Sequence, residues 1–499
     1  MKQSGMASAV AIFASIMIFA AAIVPGTSRA SGESDAIKEL REEMRLLRDE
    51  MAARQKAYEA RIEKLQNDME TLSRQQADDS APGKGGVESS EHEGDGESPS
   101  PDKNESAWSS VTQAAAEYSL GFELVLDTNY YREDSEAEVA EMMAMMPGFT
   151  SGIIDPHGEE HHGLEEGFNL REVELGVSGE VPGYFKARVL FAFFEEGAEL
   201  EEAVVETTGL PAGFTIMGGK FLSQFGYINR LHPHDWDFVD RPLIYELALG
   251  DHGLLEKGVQ FAWQAPTPFG LRFGLEALQG ENEGMFNYID GDELPDKAGP
   301  RLWVGWVKSA FALAPNHNLQ LGMFGAGGRH QELRDYSGNG ARDASLDGNS
   351  WFFGGDAVYA YEADRPHGQG DFELIGEYFN RKKDLEVSSS ALMPNLVGGD
   401  QVDRQDGYYV QAVYGFLPRW RAGLRWDQVG LSNKSRFPDG HTETYGSSYS
   451  LAGMVDWSPA DSSYLRFQGS RGKLALEAGD EAYWQFFTQL VVTLGAGGH

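Results

Sequence analysis

Residues 483–493 read Y-W-Q-F-F-T-Q-L-V-V-T. Trp484, Phe486, Leu490, Val492 and Leu494 share one parity, and Tyr483, Gln485, Gln489 and Thr493 share the other. An extended chain turns alternate side chains to opposite faces, so this segment is greasy on one side and largely polar on the other. The same period of two recurs from about Tyr118 onward. It predicts strands beginning at Ser119, Leu170, Tyr184, Glu199, Gly213, Gly258, Gly270, Leu302, Asn318, Trp351, Asp371, Gly407, Trp420, Ser447, Ser463 and Tyr483, about sixteen in all. An even number returns both ends of an up-and-down barrel to the same side of a membrane.

The connections alternate as well. Short ones carry proline, at Pro182, Pro211, Pro266, Pro315, Pro366, Pro418 and Pro459, and these fall after every second strand. Proline stops a ladder and sets φ for a turn. Most of the intervening connections are longer and polar: 132–167, 225–256, 280–299, 331–349 and 383–404. Short turns at one end and long loops at the other mark an outer-membrane barrel. The predicted fold is an all-β transmembrane barrel of about sixteen antiparallel strands over 108–499, preceded by an N-terminal α-helical coiled coil.

The pattern before the barrel is different. Ala9 to Val24 is apolar throughout, and Ser28-Arg29-Ala30 offers small residues for cleavage, so 1–30 reads as a signal peptide. At about sixteen residues the apolar run is short for a bilayer span of about twenty. In 31–76, Ile37, Leu40, Met44, Leu47 and Met51 follow a 3-4 spacing. After a stutter the spacing resumes at Tyr58, Ile62, Leu65, Met69 and Leu72. A lone amphipathic helix needs a partner for its apolar side. Self-association is expected, as a homotrimer, with the coil in the periplasm and within reach of peptidoglycan. Residues 77–107 are Gly, Ser, Pro and acid, and read as a disordered linker.

Composition agrees with many strands and tight turns: 60 Gly, 11% aromatics, and a mean hydropathy of -0.40 that leaves no bundle of membrane helices. There is no Cys, hence no disulfide framework, thiolate metal site or thiol nucleophile. The net charge is -37, and 108–499 alone carries 28 basic and 58 acidic residues. Nucleic acid is therefore not an expected partner. Outer-membrane lipid is, and a channel of this charge would prefer cations.

If Phe122, Leu124 and Leu126 face lipid, Glu123 and Asp127 face the lumen. The same parity turns inward Glu172, Glu174, Lys186, Arg188, Glu373, Glu377, Arg421, Arg425 and Asp427. Charges of both signs keep a lumen wet. The segment 225–256 is long yet aromatic and aliphatic, and exposed it would be an apolar patch. It is predicted to fold inward as a constriction loop carrying Asn229, Arg230, His232, His234, Asp235, Asp237, Asp240 and Arg241. His232 and His234 form one candidate site for zinc or another divalent cation. His157, His161 and His162, after the Met142, Met143, Met145 and Met146 cluster, form a second. No other cofactor is implied, and no Ser-His-Asp order or paired-carboxylate motif points to an enzyme.

Gly219-Lys220-Phe221, Phe225-Gly226, the run from His232 to Tyr245 (H-P-H-D-W-D-F-V-D-R-P-L-I-Y) and Lys257-Gly258-Val259-Gln260 carry a resemblance. Over roughly 118–499 the chain resembles an outer-membrane family labelled zinc-regulated TonB-dependent receptors, related to the phosphate-selective porins O and P. The terminal L-G-A-G-G-H is similar to that family's usual ending. The resemblance implies a sixteen-stranded barrel and a porin-like role, and its label implies zinc. The chain departs from both associated functions. It has a coil and a linker where an energised receptor carries a globular plug, and its barrel is acidic where phosphate porins are basic. The expected function is passive diffusion of small polar solutes or ions. The alternative is a zinc-linked receptor or a structural surface protein using the barrel as an anchor.

Overall fold

A computed structural model describes residues 120–154, 164–194, 197–289, 298–338 and 343–495. The signal peptide, coil and linker expected over 1–107 lie outside these residues, as do His157, His161, His162 and the tail 496–499.

The strands run β1 (Gly121–Asp134), β2 (Ile153–Ile154), β3 (Gly167–Val181), β4 (Phe185–Phe193), β5 (Ala198–Thr207), β6 (Phe214–Leu222), β7 (Leu255–Gln264), β8 (Arg272–Leu278) and β9 (Leu302–Ala314). They continue as β10 (His317–Arg334), β11 (Ala344–Tyr361), β12 (Phe372–Ser390), β13 (Asp400–Leu417), β14 (Trp420–Arg436), β15 (Thr442–Thr444), β16 (Ser448–Ala460), β17 (Ser463–Leu476) and β18 (Gly479–Gly495). Among the described residues two α-helices lie between strands, α1 (Val139–Ala144) and α2 (Leu243–Leu249). Every pairing is antiparallel, all but that of β2 join ring neighbours, and β18 returns to pair with β1 from Glu123↔Gly495 to Asp134↔Trp484. Apart from the two short strands β2 and β15, sixteen strands close the ring. β2 pairs with Leu333 and Arg334 of β10, covering the edge that β10 presents beyond the end of β9.

Side chains sort by parity as the sequence predicts. Trp484, Phe486, Leu490 and Leu494 are exposed on the outside, while Tyr483, Phe487, Gln489 and Val491 are buried inside. Leu424 at 64% and Leu431 at 63% exposure show how open this apolar outer surface is. The seven proline-bearing connections all lie at the end that holds both barrel termini.

Two expected loops are corrected. Residues 331–349 and 383–404 are mostly strand, because β10 to β14 run on well past their apolar stretches. β12 has 19 residues, where about 9–11 tilted residues cross the hydrocarbon. The polar extensions read as loop in the sequence, yet their inward charges satisfy one another. Lys383 donates to Glu332 at 2.7 Å and Arg334 to Asp403 at 2.6 Å, all four buried.

The main apolar core lies within the ring and not between layers. Val139, Met142, Met146 and Phe149 from the first long connection meet residues of 225–254 and Met285 and Phe286. They pack against wall side chains such as Phe324, Phe352, Ile375, Phe379 and Tyr409. Met142 and Met146, at 1% exposure each, are packing residues of this core. Phe225 is the hub: its ring sits 4.9 Å from Phe352, 5.1 Å from Phe324 and 6.0 Å from Tyr245. Phe225→Ala is expected to cost about 3–5 kcal/mol, whereas Leu392→Ala at an exposed tip costs under about 0.5 kcal/mol. Denaturant midpoints of the detergent-folded barrel measure both.

Candidate functional site

The connection 223–254 turns into the ring. Its neck is closed by Asn229, whose Nδ2 donates to Ser223 O at 2.9 Å and whose Oδ1 accepts from Leu254 N at 2.8 Å. Gly226 follows at φ +60°, and a Cβ there would lie 2.2 Å from Glu377 Oε1. Only glycine lets the backbone approach that carboxylate, which accepts from Tyr227 N at 3.2 Å. Arg230 stacks on Tyr227, and Arg241 on Trp236. The segment Phe238-Val239 is buried, and α2 lays Leu243, Ile244, Leu247 and Leu249 into the core.

The loop is tied to the wall right round the ring. On β9, Lys308 donates to Gly226 O at 2.7 Å. On β12, Glu377 also accepts from Tyr245 and Tyr409, and Glu373 accepts from Tyr227 at 3.4 Å. On β13 and β14, Gln411 and Arg421 each reach Asp237 at 3.0 Å. Arg425 donates to Asp240 at 2.8 Å and to Asp427 at 2.8 Å, while Asp427 accepts from Leu243 N at 3.3 Å. On β17, Gln468 accepts from Val239 N at 2.7 Å and Tyr464 donates to His234 O at 2.8 Å.

All eleven residues assigned to the lumen by parity stand on inward positions, but they divide by environment. Glu123, Lys186, Arg188, Glu373 and Arg421, towards the short-turn end, keep solvent contact. Asp127, Glu172, Glu174, Glu377, Arg425 and Asp427 are at most 3% exposed. Their burial departs from a water-filled lumen, because the inward loop covers them and gives Glu174, Glu377, Arg425 and Asp427 polar partners. Asp127 accepts from Gln489 at 2.8 Å. Lys186 lies 3.3 Å from Glu206, and Arg188 pairs with Glu202. Charges of opposite sign thus face one another across neighbouring strands.

Two β-bulges sharpen the geometry on one wall. The register slips at Asp127/Thr128 so that Arg171 becomes the extra residue of β3 beside Glu172. It slips again at Leu190/Phe191, which makes Glu201 the extra residue of β5 beside Glu202. A bulge sets two consecutive side chains on one face, which a strict period of two forbids. Arg171 duly donates to Val239 O at 2.7 Å, inside the ring. Glu201 and Glu202 are 7% and 3% exposed. Both were missed by alternation, and the only hint in the sequence is the adjacent acid pair itself.

Opposite these bulges sit His232 and His234, at 5% and 6% exposure, their rings 5.8 Å apart and 10° from parallel. His234 Nδ1 lies 2.9 Å from Glu174 Oε1. His232 Nδ1 is 3.5 Å from Glu201 Oε2 and its Nε2 is 3.6 Å from Glu202 Oε2. Burial opposes charge on His232, but Glu201 and Glu202 outweigh it and lift the imidazole to about 10. Burial likewise opposes charge on His234, and Glu174 raises it. Asp235 is exposed, and Asp237 and Asp240 are committed to the wall arginines. The buried carboxylates around the imidazoles are thus Glu172, Glu174, Glu201 and Glu202, while the exposed Asp235 lies 3.8 Å from His234 Nε2.

No family model matches the chain. Among solved structures, it is similar to the outer membrane channel DcaP of Acinetobacter baumannii, with 11% identity, TM-score 0.46, and 75% of this chain and 96% of that one covered. An anion-selective porin from Comamonas acidovorans gives 12% identity and TM-score 0.43 over 75% and 99% of the two chains. The trimer form of OmpT from Vibrio cholerae gives 13% and 0.44 over 75% and 99%. An uncharacterized protein of Aquifex aeolicus (strain VF5) is 33% identical over 365 residues, covering 69% of this chain and 71% of that protein. The match is long and close enough that the chain belongs to one family with the Aquifex aeolicus protein.

Proposed function

We propose that the protein is an outer-membrane channel for passive diffusion of small polar solutes and ions, narrowed by the loop 223–254. The observation that carries this reading is the combination of a closed ring, an apolar exposed exterior, and a connection folded inward and tied to strands all round the wall. An apolar outer surface of closed strands suits hydrocarbon, where every backbone polar group must be paired internally. Among the described residues no helix is long and apolar enough to cross a membrane, so strands would carry the crossing. Inside, the half-exposed Glu123, Lys186, Arg188, Glu373 and Arg421 would line a wet approach from the short-turn end. The loop then sets the narrowest passage, since side chains beyond that approach are buried against it.

The proposal includes a preference for cations, supported by the excess of 30 acidic over basic residues in 108–499. It includes assembly as a homotrimer through 31–76, supported by the 3-4 spacing of that segment. Passage needs no catalytic step and no bound cofactor.

In planar lipid bilayers the purified chain is expected to give discrete conductance steps. Replacing 227–250 by a short Gly-Ser link should raise the step size severalfold. Absence of steps from correctly folded protein would refute a channel, and an unchanged step size would refute the constriction. A salt gradient should give a reversal potential of cation-selective sign. The Arg425–Asp240 clamp is a second test. Breaking a buried ion pair on one side costs about 3–5 kcal/mol, so Arg425→Ala should loosen the loop. The chain has no Cys, so a single Val239→Cys reports alone: protected from a hydrophilic maleimide in the parent, labelled when Arg425 is also replaced. Equal labelling in both would mean that the clamp does not hold the loop.

A further inference from the structure

Where the loop meets β3 and β5, four carboxylates and two imidazoles are buried together: Glu172, Glu174, Glu201, Glu202, His232 and His234. Nearby cations account for only part of that charge. Arg188 pairs with Glu202, and Arg171 lies 3.9 Å from Asp127 while its NH1 is used on Val239 O. Glu174 and Glu201 are left to the two histidines, and Glu172 lies between Arg171 and His234. Two sets of three ligand atoms, Glu172–Glu174–His234 and Glu174–Glu201–His232, each lie within 4.8 Å of one another, and they share Glu174.

A second observation points to a ligand. Glu172 Oε1 and Glu174 Oε2 are buried oxygens that accept no hydrogen bond, on residues only 3% and 0% exposed. A buried carboxylate oxygen without a donor is costly, and one cation can relieve several at once. Imidazole nitrogen with carboxylate oxygen is a donor set that Zn²⁺ accepts readily, and the divalent metals around it less selectively. Alternation sets Glu172 and Glu174 on this face, and the bulge at Glu201 brings it there beside Glu202.

We propose that this cluster is a site for a divalent cation of the zinc class, with Glu174 as the shared ligand. Glu172 and His234 complete one set, Glu201 and His232 the other. One ion held by either set, or two bridged by Glu174, satisfies the same donors. Because the acids belong to the wall and the histidines to the loop, a bound ion would rivet the loop to β3 and β5. The site stands apart from the channel reading, since it needs only the loop's observed position.

The test uses the full chain, folded in detergent, stripped with a chelator, reloaded with Zn²⁺ and passed over a desalting column. Elemental analysis is expected to find one or two zinc ions per chain. Glu174→Gln should weaken retention by more than the roughly 10–100-fold that loss of an outer partner costs. Glu172→Gln and His234→Ala, each milder for folding, should lower it as well, with heat-modifiable mobility confirming a folded barrel. With Co²⁺ in place of Zn²⁺, the visible absorption should change in His234→Ala. Replacing His157, His161 and His162 together by Ala should leave zinc retention unaltered. No retained zinc in the parent, full retention in folded Glu174→Gln, or loss confined to the triple histidine variant would each overturn the assignment.

Discussion

Everything in this barrel depends on the seam between its first and last strands. β1 and β18 meet over a run from Glu123↔Gly495 to Asp134↔Trp484, and that pairing leaves the ring without an open edge. An open sheet would present a row of unpaired N–H and C=O groups, harmful in water and prohibitive in hydrocarbon. With the seam made, each strand has an outside that needs no polar partner and an inside that must find partners for its charges. The short strand β2 is the same constraint in miniature, since it covers the piece of β10 that outruns β9.

The inside solves its problem with the loop 223–254 rather than with water alone. Glu377, Arg425 and Asp427 are buried wall residues whose partners are loop backbone, loop tyrosine and loop aspartate. Apolar and polar contacts cooperate: Phe225 and Tyr245 pack on Phe352 and Phe379 while the same tyrosine donates to Glu377. Removing water from an ion pair strengthens it, but leaves either partner costly if the other is lost. The loop is therefore held in one place by interactions that fail together. The space left inside the ring at this level is set by packed side chains and not by strand count.

The wall formed by β3 and β5 is where regularity yields. Each strand carries one extra residue, and each extra residue is charged or adjacent to a charge that the loop uses. The bulges interrupt the ladder only locally, and in exchange add Arg171 and Glu201 to the inward face that already carries Glu172, Glu174 and Glu202 opposite His232 and His234. A segment otherwise devoted to architecture thereby becomes a place of concentrated chemistry.

Much of this was open to reading from the order of residues alone. Alternation decided which side chains of β1, β14 and β18 face out, proline decided where the short turns fall, and both are local properties of an extended chain. The inward turn of 225–256 was legible too, because so apolar a connection cannot remain in water. What local pattern could not reach was environment. Parity sets Asp127 and Lys186 on the same side, yet one is fully buried and the other half open, since only the folded loop covers the first. The polar runs 331–349 and 383–404 read as loops because the charges that neutralise them lie on other strands, two or three places round the ring. Glu201, a strand and more distant in sequence from His232, joins it through a bulge that no period of two contains. Direction along a strand is fixed by the backbone's own geometry; contact between strands and loop is decided by the closed ring that brings them together.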